Sequence, residues 1–226
     1  MNASNLPNIE IARFNMVEQQ IRPWDVSDEN VLKALFKIRR ECFVPSAYRA
    51  LAFSDLEVPL VLQTTDTHQV MLAPKMEARF AQLLALKADD CVLEVGTGSG
   101  YQAALLSELA RDITTIEIDP RLVAFAQNNL QQAQIKNVKV ETGDGSNGWG
   151  TTEYDAILVT GSLPSIPDAL KYQLCVGGRM VVVVGQAPAM TVYRITRTTA
   201  ASFETTSLFE TVIKPLTGPV VSHFKF

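Results

Sequence analysis

Three glycines at alternate positions, Gly96, Gly98 and Gly100, follow the apolar run Cys91-Val92-Leu93-Glu94-Val95 and lead into Tyr101-Gln102-Ala103-Ala104-Leu105-Leu106. That order reads as strand, turn, helix. A turn of this composition lets a ligand approach the backbone: glycine removes the Cβ and admits positive φ, and a helix start offers unpaired N–H groups. Two acids extend the pattern. Glu117 lies about twenty residues beyond Gly96, at the end of the next β-branched run, where a carboxylate can accept both hydroxyls of a ribose. Asp144 stands between Gly143 and Gly145 after a third such run. By itself an Asp-Gly pair is an ordinary turn. Beside the first two features it suits a hydrogen bond from the exocyclic amine of adenine. Gly96, Thr97, Gly98, Ser99, Gly100, Glu117, Asp144 and Gly145 together predict an adenosine-bearing ligand.

Glycine spacing narrows the ligand. A dinucleotide turn leaves two residues before its last glycine, so that the helix meets a pyrophosphate. Here a single residue separates successive glycines, and Glu94 precedes them. A carboxylate there suits the cationic amino-acid end of S-adenosyl-L-methionine better than a diphosphate, which disfavours a nicotinamide-linked oxidoreductase. Two histidines, His68 and His223, and three separated cysteines, Cys42, Cys91 and Cys175, make no ligand spacing, so no metal is expected. The thiols read as reduced and buried. His68 lies in the polar stretch 63–69 beside Asp66. With an unperturbed pKa of about 6.5 it can orient a carboxylate or deprotonate a hydroxyl acceptor; the plainer reading is a surface histidine. In Gln20-Ile21-Arg22-Pro23-Trp24-Asp25, Arg22 reads as a structural ion pair with Trp24 packed nearby.

The elements that must hold these groups follow from periodicity. Residues 9–48 read as helical, with Pro23 separating two helices and Ser27 or Asp28 capping the second. The polar stretch 63–69 reads as a loop, and Pro74 as the first turn of a helix over 74–86. From residue 90 the chain alternates: strands at 92–95, 113–118, 138–142, 154–160 and 179–184, helices at 102–110, 120–134 and 168–174. Two further strands, at 191–196 and 208–214, are close enough to pair antiparallel. The expectation is an α/β, Rossmann-like fold: a mostly parallel seven-stranded sheet with helices on both faces. Residues 1–75 form a helical and loop segment capping the site, and 76–226 form the ligand-binding core. With 226 residues, 47% hydrophobic and 19% charged, one compact domain is expected. A net charge of −4 disfavours nucleic acid as partner. No apolar run is long enough to span a bilayer, so the cytoplasm is the expected compartment.

The chain resembles the protein-L-isoaspartate O-methyltransferases over nearly its whole length. The resemblance rests on the stretch Leu93 to Ala104, where Gly100-Tyr101-Gln102 is the most specific part. Further matches are Arg40-Glu41-x-Phe43-Val44-Pro45, Gly143-Asp144-Gly145, Tyr154-Asp155-Ala156-Ile157, Ile166-Pro167-x-Ala169-Leu170, Gly177-Gly178-Arg179 and Pro215-Leu216-Thr217. It implies a methyltransferase sheet with an added N-terminal helical segment, S-adenosylmethionine held by the turn, Glu117, Asp144 and Gly145, and Thr217 near the ligand. The implied acceptor is a carboxylate of damaged protein. One stretch departs from the family: where it reads Gln-Thr-Ile-Ser before a variable residue and Pro, this chain has Gln69-Val70-Met71-Leu72-Ala73-Pro74. Leu72 stands where the family has its active-site serine. The acceptor-site candidates are therefore Gln69, Val70, Leu72 and Thr217. A different protein or small-molecule acceptor, or a cofactor-binding module without repair activity, are the alternatives. Oligomeric state and the role of Val220–Phe226 are not legible.

Overall fold

The structure, a computed structural model, describes residues 6–218; Val220–Phe226 and His223 lie outside the described residues. The N-terminal helical region is broken several times. Helix α1 (Leu6–Asn15) continues as a π-helical turn (Met16–Ile21) and a 3₁₀ turn (Arg22–Trp24) before α2 (Glu29–Lys37). Asp28 caps α2, its carboxylate accepting the N–H groups of Asn30 and Val31. Arg22 pairs with Glu18 at 2.9 Å, whereas the Trp24 ring lies under Lys75, with Nζ 4.0 Å from its centroid.

Residues 63–69 are not a loop. Strands β1 (Val58–Leu62) and β2 (Thr65–Met71) form an antiparallel hairpin, with Gln63 at positive φ in its turn. The stretch is polar because a two-stranded ribbon exposes most of itself. Thr67 is the buried exception, its hydroxyl donating to the Leu60 carbonyl at 2.7 Å.

The rest is the expected α/β core. Helix α3 (Pro74–Leu84) precedes β3 (Cys91–Val95), α4 (Tyr101–Ser107), β4 (Asp112–Glu117), α5 (Pro120–Gln132), β5 (Val138–Thr142), β6 (Tyr154–Leu163), α6 (Asp168–Tyr172), β7 (Leu174–Gln186), β8 (Ala189–Arg197) and β9 (Phe203–Thr211). The strands lie in the order β5-β4-β3-β6-β7-β8-β9, with β5 to β7 parallel and the last two pairings antiparallel. β9 starts earlier than its apolar residues suggest because it pairs along all of β8, from Arg197↔Phe203 to Met190↔Thr211. Side chains alternate between two cores. Val92, Leu158, Val181 and Val183 pack on one face with α3 and α4; Leu93, Ile157, Met180 and Val182 pack on the other with Leu170 of α6. The three cysteines are free and half-buried rather than buried.

Two family-like motifs act here as fasteners. Arg179 donates to the Ala85 and Asp155 carbonyls and to the last turn of α3 at Leu84, and pairs with Asp90. Arg40, 1% exposed, reaches Glu77 Oε2 at 3.0 Å, the Leu72 carbonyl at 2.6 Å and the Ala52 carbonyl at 3.2 Å. Its guanidinium lies 5.3 Å from the Tyr101 ring centroid. One side chain thus ties the N-terminal segment to the hairpin exit, α3 and α4.

Candidate active site

The chain runs outward through β3, β4 and β5, then returns to place β6 beside β3. Doubly wound sheets bind ligands outside the carboxyl ends of their strands at such a reversal. A cavity of about 700 Å³ opens there, within the range of small-molecule sites. Its walls come from the glycine turn, the ends of β4 and β6, the loop after β5, the β2 strand and residues 214–218.

Glu117, 6% exposed, is the carboxylate at the end of β4. Its Oε2 accepts the Gly98 N–H at 2.8 Å and its Oε1 the Asp119 N–H at 3.0 Å. Burial pushes this carboxyl up, while backbone N–H groups of Gly98, Asp119 and Ile118 pull it down. Each oxygen keeps further acceptor capacity, which is what two ribose hydroxyls need. Asp144 and Gly145 line the same end, and Asp144 Oδ1 is oriented by the Ser146 N–H at 2.9 Å.

Only Gly96 and Gly98 of the turn face the cavity. Gly96 has φ +98°, and a Cβ there would collide with Thr160 Oγ1, whose hydroxyl donates to the Gly96 carbonyl at 2.7 Å. Around Gly98, a Cβ would meet only Leu60 Cδ1, at 3.5 Å, so that glycine leaves open space. Its amide is not free for a ligand; it holds Glu117. Gly100 packs α4 against Ala126 of α5. Thr97 and Ser99 are buried beneath the turn: Thr97 Oγ1 lies 2.6 Å from Thr115 Oγ1, and Ser99 Oγ accepts the Tyr101 N–H.

Besides Thr97, Ser99 and Gly100, two further sequence candidates fall outside the cavity. Glu94 lines none of it. Its side chain is fully buried, with Thr115 Oγ1 donating to Oε2 at 2.5 Å. Burial pushes its carboxyl up to about 8, the Thr115 bond opposes this, and the Glu117 and Glu77 charges add to it. Glu94 Oε1 is buried without a partner, and the side chain does not reach the cavity wall. His68 also points away. Its side chain is 83% exposed, with Nδ1 3.2 Å from Asp66 Oδ2. His68 sits at positive φ where the β1–β2 register is interrupted and turns outward, while Thr67, Gln69 and Val70 line the cavity.

Gln69, Val70, Leu72 and Thr217 do line the opposite end. Gln69 Nε2 donates to Thr217 Oγ1 at 2.8 Å across 148 residues of sequence. An isolated bridge, Ser162↔Pro215, brings that distant segment in: the Ser162 N–H donates to the Lys214 carbonyl at 2.9 Å and the Leu216 N–H to the Ser162 carbonyl at 3.0 Å. Thr160, Lys214 and Leu216 are cavity residues that sequence reasoning missed. The Pro215-Leu216-Thr217 motif was the signal that pointed toward Leu216; Thr160 and Lys214 had none.

The donor set fits the expected cofactor: a buried carboxylate with spare lone pairs, glycine-cleared backbone, and Val95, Ile116 and Leu122 as an apolar floor. Fold and cavity together define a Rossmann-like methyltransferase. The sequence profile described as protein-L-isoaspartate(D-aspartate) O-methyltransferase matches residues 12–220. A protein-L-isoaspartate O-methyltransferase of Petrotoga mobilis is 39% identical over 80% of this chain and 84% of its own length. One from Koribacter versatilis is 38% identical over 95% and 94%. Among solved structures, a Plasmodium falciparum β-aspartate methyltransferase in complex with S-adenosyl-L-homocysteine superimposes with TM-score 0.75 at 19% identity, over 92% of this chain and 97% of its own. The chain belongs to the protein-L-isoaspartate(D-aspartate) O-methyltransferase family and is an S-adenosylmethionine-dependent methyltransferase. Among the described residues no helix is long and apolar enough to cross a membrane.

Proposed function

We propose that this enzyme methylates the free side-chain carboxylate of isoaspartyl or D-aspartyl residues in damaged protein, in the cytoplasm. The observation that carries the reading is the single cavity running from Glu117 to the Gln69–Thr217 bridge, long enough to set an adenosine at one end and an acceptor at the other. S-adenosylmethionine, when bound, supplies a sulfonium methyl: a carboxylate oxygen takes it, the S–C electron pair stays on sulfur, and both charges disappear. Glu117 accepts the ribose hydroxyls, and Asp144 accepts from adenine. Residues 1–75 act as a cap, through Gln69, Val70 and Leu72, over the core of residues 76–226. The Gln69–Thr217 bond, itself exposed, bridges the two segments across the acceptor end. A carboxylate is already ionised at neutral pH, so alignment matters more than a base. The absence of a titratable base among Gln69, Val70, Leu72 and Thr217 agrees with that.

Methyl transfer to matched isoaspartyl and aspartyl peptides tests the reading, alongside calorimetry with S-adenosylhomocysteine. Transfer to the isoaspartyl peptide alone is expected. Tight S-adenosylhomocysteine binding with no transfer to either overturns the acceptor assignment and leaves the cofactor assignment standing.

A further inference from the structure

The two ends of the cavity carry opposite charge. Glu117, Asp119 and Asp144 gather at the ends of β4 and β5. Lys214 lies at the end of β6, two strands away in the sheet, or about 10 Å at ordinary strand spacing. Two cations line the cavity, Arg121 and Lys214. Arg121 is held by Asp119, with Nη2 2.6 Å from Oδ2 and Nε 2.9 Å from Oδ1. The Lys214 ammonium is exposed, and its partner among the described residues is the neutral backbone carbonyl of His68. Glu57 feels the Lys214 charge, which lowers its carboxyl against the larger rise from burial, but forms no ion pair with it among the described residues.

The neighbouring wall is aliphatic, with Val70, Leu72 and Leu216, and its polar groups, Gln69 and Thr217, are bonded to each other. A carboxylate entering the cavity therefore meets, among the described residues, one positive charge without an acidic partner. Lys214 and Pro215 also line a second cavity of about 570 Å³, with Glu57, Ser162, Met190 and Val212 among its other walls. Ser162 Oγ is buried there without a partner. A peptide whose carboxylate rests on Lys214 has room beyond it for flanking residues.

Resting on the methyltransferase reading above, we infer that Lys214 is the residue that binds the acceptor carboxylate, by charge, at the rim between the two cavities. This makes a specific kinetic demand. The acceptor loses its negative charge as the C–O bond forms, so Lys214 holds the substrate more strongly than the transition state or the methyl ester. Such an interaction lowers KM without raising kcat, and it favours release of the neutral product.

Lys214→Met keeps the aliphatic stem and removes the charge. We expect KM for an isoaspartyl peptide to rise roughly tenfold, as for loss of a charge-assisted hydrogen bond, with kcat unchanged or higher. Lys214→Arg should restore most of the affinity. Added salt should raise KM in the wild type and leave it flat in Lys214→Met. S-adenosylhomocysteine affinity should be the same in all three, which also reports that the variants fold. An unchanged KM in Lys214→Met, with a wild type that turns over, overturns the inference and leaves the repair function intact. A wild type that binds S-adenosylhomocysteine but does not turn over overturns the repair reading. The inference is then judged by calorimetric binding of the isoaspartyl peptide to that complex: equal binding by wild type and Lys214→Met sinks it, and weaker binding by the variant supports it.

Discussion

At the adenosine end of the cavity, the glycine turn, Glu117 and Asp144 stand on three adjacent parallel strands, and backbone N–H groups orient both carboxylates. At the acceptor end, Gln69 belongs to the β1–β2 hairpin, Leu72 to its exit, and Thr217 to a segment near the other end of the chain, with one side chain–side chain bond joining Gln69 to Thr217. The first end is positioned by the sheet itself and shares its rigidity. The second is positioned by a few fasteners: Arg40 on the Leu72 carbonyl, the Ser162–Pro215 bridge and the Gln69–Thr217 bond. One end is thus fixed by parallel strand pairing, the other by a handful of long-range contacts that single substitutions can remove.

The largest effect should come from striking the rigid end. Gly96→Val forces a side chain into Thr160 at a positive φ, so it should lower stability by roughly 2–4 kcal/mol and abolish calorimetric binding of S-adenosylhomocysteine. Binding that survives would mean the turn yields as readily as the hairpin, and the contrast would fail.

A second effect lies beneath that same turn. The folded pKa of Glu94, about 8, is above its ordinary value of 4.5. As pH rises the unfolded chain gives up this proton first, so the stability it contributes is complete below about pH 4.5 and is lost up to about pH 8. Glu94→Gln should remove the slope, so that its melting temperature gains on the wild type steadily from about pH 5 to about pH 8.5. Parallel melting profiles would show that Glu94 is ionised when folded, and would return it to the list of groups able to face a cationic ligand.

The smallest effect should come from the adaptable end. Leu72→Ser restores a hydroxyl beside the acceptor space and should raise kcat/KM for an isoaspartyl peptide by roughly tenfold, with S-adenosylhomocysteine affinity unchanged. An equal or lower rate would show that Leu72 is not what limits this acceptor.

Legibility follows the same division. Glu117, Asp144, Gly145 and two of the three glycines were readable because each sits at the end of a local strand pattern, and parallel pairing brings such ends to one edge. Glu94 lies two residues before the first glycine, and its side chain goes into the core against Thr115, outside the cavity. His68 is the surface histidine of the plainer reading; what the polar composition of 63–69 hid is that the stretch belongs to a hairpin, with His68 at positive φ where its register is interrupted. Lys214 carried no local signal, since its position depends on pairing between β6 and a segment some fifty residues later.

What the sequence determined by itself is therefore what short-range physics controls: the βα alternation, the glycine turn, the acids at strand ends and the cofactor they imply. Only the tertiary structure decided which charged groups share the cavity. Glu94 is kept out of it by burial, His68 by the interrupted register of the hairpin, and Lys214 is brought in by contacts between segments far apart in the chain. Such contacts depend on how elements pack, and no pattern within a single element encodes that.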